Sequence, residues 1–101
     1  MSAIAELSIF PMGEHKNLSP YVARAVRIIK KSGLPYQLGP MGTCIEGEWP
    51  EVMAVVSECF EDLKADQDRI YLTLKVDWRA GRLGGLSAKP EAVESLLRSD
   101  T

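Results

Sequence analysis

The chain has one histidine and only two cysteines. Cys44 and Cys59 lack metal-ligand spacing, and His15 cannot easily complete a set with them, so a metal centre is not expected. Two unpaired thiols are expected to be buried and reduced, which suits a cytoplasmic protein. The N-terminus has neither the basic start nor the apolar core of a signal peptide, which supports the same expectation. No apolar run reaches the length of a membrane span, so no membrane partner is expected. There is no block of like charges and the formal net charge is -2, which argues against nucleic acid as a partner. The glycines from Gly81 to Gly85 match neither a phosphate loop nor a dinucleotide fingerprint, and read as a turn. No paired carboxylates and no Ser/His/Asp set stand out, which leaves an enzyme reading without direct support. Cys44 has no cation placed to activate it, and reads as a strand thiol. His15, in a glycine-containing loop, reads as a solvated side chain.

What is present is strong periodicity. At 101 residues the chain is one modest domain, for which self-association would add stability. Ala5, Leu7 and Ile9 alternate with Ile4, Glu6, Ser8 and Phe10, which predicts a strand over 3–10. Ser19-Pro20 opens a helix, with Ser19 as the expected cap and Pro20 at the first helical position. Its apolar stripe is Val22, Ala25, Val26 and Ile29, and Gly33 is its expected terminator. Pro50 starts a second helix with a stripe of Val52, Val55, Val56, Cys59, Phe60 and Leu63. Trp49 falls at its expected cap position, where it is a poor choice. The run 69–78 alternates Ile70, Leu72, Leu74, Val76 and Trp78 with Tyr71, Thr73, Lys75 and Asp77. Only one face of that strand need lie under helices.

Between the helices lies the stretch around which the chain is organised, residues 34–48. Leu34, Tyr36 and Leu38 alternate with polar or proline neighbours, Gly39-Pro40 breaks the run, and Thr43 and Ile45 alternate with Cys44 and Glu46. This predicts a hairpin with its polar side in water. Gly42 is expected to take a backbone angle closed to other residues. The full order is strand, helix, strand, strand, helix, strand: the α+β, ferredoxin-like split βαβ arrangement (βαββαβ) with an antiparallel sheet. Right-handed crossovers put both helices on one sheet face. The ferredoxin-like domain is assigned to residues 1–80. A C-terminal extension, 81–101, is expected to begin with a loop or short edge strand at 82–86 and to carry a short helix over 90–98. The expected core is Leu7, Ile9, Val26, Ile29, Val56, Phe60, Leu72 and Leu74. The open sheet face, with Ile4, Phe10, Tyr71 and Thr73, is expected to meet a second copy.

Several phrases converge on one family. They are Pro11-x-Gly13, Leu18-Ser19-Pro20-Tyr21-Val22, Gly33-Leu34-x-Tyr36-x-Leu38, Pro40-Met41-Gly42-Thr43-x-Ile45-Glu46-Gly47 and Lys75-x-Asp77-x-Arg79. Together, over roughly 3–79, they resemble the small thiamine-binding protein family, also called uncharacterised protein family UPF0045. The resemblance departs after Arg79, where the family usually carries a charged strand extension. It implies the ferredoxin-like fold, a homodimer or homotetramer, no cofactor, and non-catalytic binding of thiamine or its hydroxymethylpyrimidine moiety. On this reading Glu46 pairs with the aminopyrimidine or balances the thiazolium cation, and Thr43 offers a hydroxyl. Tyr36, Met41 or Trp78 lies against a ring, and Ser19 meets a polar group or simply caps its helix. The alternatives are a small enzyme on paired ferredoxin-like units, or an assembly subunit without a ligand.

Overall fold

A computed structural model describes residues 2–15, 17–81 and 84–99. The order is β1 (Ser2–Pro11), α1 (Ser19–Lys31), β2 (Tyr36–Leu38), β3 (Thr43–Gly47), α2 (Trp49–Lys64), β4 (Ile70–Arg79) and α3 (Gly85–Ser99). The sheet runs β2-β3-β1-β4, and every neighbouring pair is antiparallel. This is the α+β, βαββαβ arrangement that the periodicity predicts. β1 is central and meets β4 along its whole length, from Ser2↔Arg79 to Pro11↔Ile70. Ala5, Leu7 and Ile9 point to the side covered by α1 and α2, where they pack with Ala25, Ile29, Ile45, Val52, Val56 and Leu63.

The helix ends differ from expectation for local reasons. Ser19 does not cap α1: it is the first helical residue, and its N–H donates to Asn17 Oδ1 at 3.0 Å. The acceptor thus comes from two residues upstream. Trp49 does not cap α2 either. Glu48 holds that position with extended backbone, and its N–H donates to the side chain of Glu51 at 3.3 Å. That is a capping box built on two glutamates, and it removes the oddity of Trp49. Gly33 follows α1 at φ +78°, a conformation in which a Cβ is strained.

Two core expectations fail. Leu72 pairs with Ile9 and faces the helix side, but β4 is the sheet edge and the helices lean over β1 and β3, so Leu72 is 37% exposed. Phe60 is also 37% exposed, on the outer flank of α2 with the Lys64 ammonium 5.9 Å above its ring. Val26 and Leu74 are half-buried. The extension differs too. Helix α3 begins at Gly85, not Pro90, and Pro90 lies inside it. Residues 82 and 83 of the expected loop or edge strand lie outside the described residues, while 85 and 86 are helical. Val93, Leu96 and Leu97 leave α3 with an exposed apolar stripe. No described helix is long and apolar enough to cross a membrane.

Helices α1 and α2 are clamped by Arg24. Its guanidinium donates to Asp62 Oδ2 at 2.9 Å, to the Asp62 carbonyl at 2.8 Å, and to both carboxylate oxygens of Asp66 at 3.0 and 3.2 Å. These bonds, first to Asp66 and then to Asp62, raise the Arg24 pKa; Arg24 in turn lowers that of Asp66.

Two outcomes follow from this packing. Ile45→Ala, at a fully buried position, should cost about 2–5 kcal/mol in urea denaturation. Leu72→Ala should cost markedly less, and equal losses would reject the edge assignment. Arg24→Ala should lower the melting temperature at neutral pH. Because the folded Asp66 pKa is depressed, its contribution is complete above the ordinary aspartate value of about 3.9 and is lost as pH falls through the lower folded value. The gap between wild type and variant should therefore close on that acid limb, and a gap that stays constant would contradict the clamp.

Candidate functional site

The β2–β3 turn is shaped by two glycines. Gly39 N–H donates to the Gly42 carbonyl at 2.9 Å, and a Cβ on Gly39 would sit 2.9 Å from that same oxygen. A Cβ on Gly42 would sit 3.1 Å from both the Glu6 side chain and the Leu7 carbonyl. Gly42 is not at positive φ, contrary to expectation. What favours glycine there is space, because the turn lies close against β1.

That turn, β1 and the first half of α1 enclose a cavity of about 520 Å³, within the range of small-molecule sites. Leu7 and Ile9 line it from β1, and Val22 and Val26 from α1. This explains why Val22 is 37% exposed although it belongs to an apolar stripe: that end of the stripe faces a cavity. Leu18, Leu38 and Met41 also border it, and are 37, 61 and 83% exposed. Polar side chains reach it from Asn17, Ser19 and Thr43, while Ser8, which alternates with Leu7 and Ile9, borders it through its backbone. Among the described residues, no ionisable side chain lines it, and no hydrogen bond within the chain occupies the Thr43 or Ser19 hydroxyl or the Asn17 amide nitrogen. The cavity therefore offers a flat organic group apolar walls and neutral donors and acceptors.

Of the six residues expected at a ligand, the structure brings Thr43, Met41 and Ser19 together here. The other three lie elsewhere. Tyr36 pairs opposite Ile45 and packs, half-buried, against the core. Trp78 pairs opposite Ala3 on β4, at the far edge of the sheet from β2. Glu46 pairs opposite Ile4, so it points to the sheet face away from α1 and α2. It is 6% exposed because α3 starts over it. Its Oε2 accepts the Gly85 N–H at 2.7 Å and faces the Ser2 hydroxyl at 3.4 Å. A carboxylate at a helix N-terminus is favourable on both hydrogen-bond and dipole grounds. The polar side of the hairpin is thus not wholly in water. Asn17, Leu18, Leu38, Val22 and Val26 were not singled out as site residues from the sequence. A local signal is the pair of large apolar residues Leu38 and Met41 flanking Gly39-Pro40, which a turn does not need.

The remaining reactive groups are quiet. Cys59 donates to the Ala25 carbonyl at 3.7 Å, and burial, helped by Glu58 and Asp62, pushes its pKa up to about 12. Burial, with Glu6 nearby, also raises that of Cys44. His15 is half-buried rather than fully solvated, with Nδ1 3.3 Å from the Tyr21 hydroxyl. No group of His, Cys, Asp and Glu that could hold a metal ion occurs among the described residues.

Comparison with known proteins adds the following. A family model described as thiamine-binding protein matches residues 5–94, and so runs past Arg79 into α3. A UPF0045 protein of Methanothermobacter thermautotrophicus is 42% identical over 96 residues, covering 92% of this chain and 97% of its own. The crystal structure of hypothetical protein MJ1052 from Methanocaldococcus jannaschii superposes with a TM-score of 0.84 at 31% identity, over 92% of this chain and 96% of that one. A Thermotoga maritima protein, provisionally named for thiamine biosynthesis or salvage, superposes with a TM-score of 0.75 at 30% identity, over 82% of this chain and 89% of that one.

Proposed function

The chain belongs to the thiamine-binding protein family, and from that premise we propose that it binds thiamine or its hydroxymethylpyrimidine portion, without catalysis, in the cavity beside the β2–β3 turn. The observation that carries this reading is the cavity itself: apolar walls with the Thr43 and Ser19 hydroxyls and the Asn17 amide nitrogen uncommitted. An aminopyrimidine is flat, neutral and rich in donors and acceptors, which fits that lining. Met41 at the turn can lie against a ring through its polarisable sulfur. The family is named for binding, which supports binding over turnover. Glu46 serves instead to hold the start of α3.

Self-association belongs to the same proposal. Among the described residues, apolar surface stays partly exposed on the open sheet face at the stacked Phe10 and Tyr71 rings, on β4 at Leu72, Val76 and Trp78, and along the stripe of α3. A chain this small gains by burying it against a second copy, which supports a homodimer or homotetramer. The two free thiols suit a reducing, cytoplasmic setting.

Calorimetric titration with hydroxymethylpyrimidine tests the site. Thr43→Val keeps the shape and removes one neutral hydrogen bond, so affinity should fall by about 0.5–1.5 kcal/mol, or up to about tenfold. Glu46→Gln should leave affinity nearly unchanged while lowering the melting temperature. The reverse pattern would move the ligand to Glu46. Light scattering at micromolar concentration should give at least twice the chain mass; a monomer would contradict the assembly.

A further inference from the structure

Resting on the reading above, we infer that the cavity selects the uncharged alcohol of its pyrimidine ligand and rejects the phosphate ester. A phosphate needs either a cation or a set of free backbone N–H groups, and helix N-termini commonly provide the second. The first turn of α1 borders the cavity but is already closed. The Ser19 N–H is taken by Asn17 Oδ1, Pro20 has none, and the Tyr21 and Val22 N–H groups both go to the Leu18 carbonyl at 3.0 and 3.1 Å. All four positions that would greet an anion are therefore consumed or empty.

The side chains tell the same story. No lysine, arginine or histidine lines the cavity among the described residues. Of the exposed side chains that line it, Leu18, Val22, Leu38 and Met41 are apolar, and Asn17 and Ser19 are polar but uncharged. A phosphate held there would give up water and receive no charge from the described lining residues, which is costly for a dianion. An alcohol in the same place loses little, because the Thr43 and Ser19 hydroxyls and the Asn17 amide nitrogen are free to bond it. The formal net charge of -2 gives an anion no long-range help.

The test compares hydroxymethylpyrimidine with its monophosphate ester by calorimetry on the full chain. The alcohol should bind at least about tenfold more tightly. A cation placed beside the cavity should narrow the ratio by strengthening the ester. Val22→Lys and Leu38→Lys enter from opposite sides at exposed positions, and thermal melts check that each folds. Equal or tighter binding of the ester by the wild type would overturn the inference while leaving the binding function standing. A ratio unmoved in both folded lysine variants would overturn it as well, since charge would not be the cause. If neither compound binds, the proposed function fails and the inference goes with it.

Discussion

Two helices cover one side of a four-stranded sheet, and the rest of the molecule follows from how little that covers. Helices α1 and α2 sit over β1 and β3, where Ala5, Ile45 and Val52 are fully buried. They do not reach far enough over β4, so its helix-side row stays partly in water. Nor does α1 close down on the β2–β3 turn. Between them a cavity remains, walled by the end of a stripe that elsewhere makes core. The other face of the sheet has no helix except where α3 begins, and there a carboxylate is needed to hold the helix start.

The placement of charge follows the same division. Among the described residues, two ion-paired groups lie outside the cavity: Arg24 ties α1 to the end of α2, and Lys75 meets Glu6 at 3.2 Å on the open face. Glu46 spends its charge on the N-terminus of α3. The polar side chains of the cavity's described lining are hydroxyls and an amide. For any ligand, such a lining sets the cost of removing water against few compensating charges.

Much of the fold was legible because β1, α1, α2 and β4 each carry an unbroken period of two or of three to four residues, and their order permits few topologies. The phrase from Pro40 to Gly47 marked the hairpin, and its Thr43 and Met41 do face the cavity. Glu46 stands three residues further on, yet lies on the opposite face, since three steps along a strand reverse the side. Trp78 and Tyr36 offer only what any aromatic offers, and pairing register places them opposite Ala3 and Ile45, away from the cavity. Ser19 lines the cavity but does not cap, because Asn17 supplies the oxygen.

Sequence alone therefore determined the element types, the βαββαβ order, the antiparallel sheet and the helix-facing set on β1, all of which rest on local periodicity. Tertiary structure decided what no local pattern contains. Edge position left Leu72 partly in water, the close approach of the turn to β1 favoured Gly42 for space rather than for φ, and the arrival of α3 buried Glu46. Each depends on which distant segment lies opposite a residue, and that is set only when the sheet and helices close on one another.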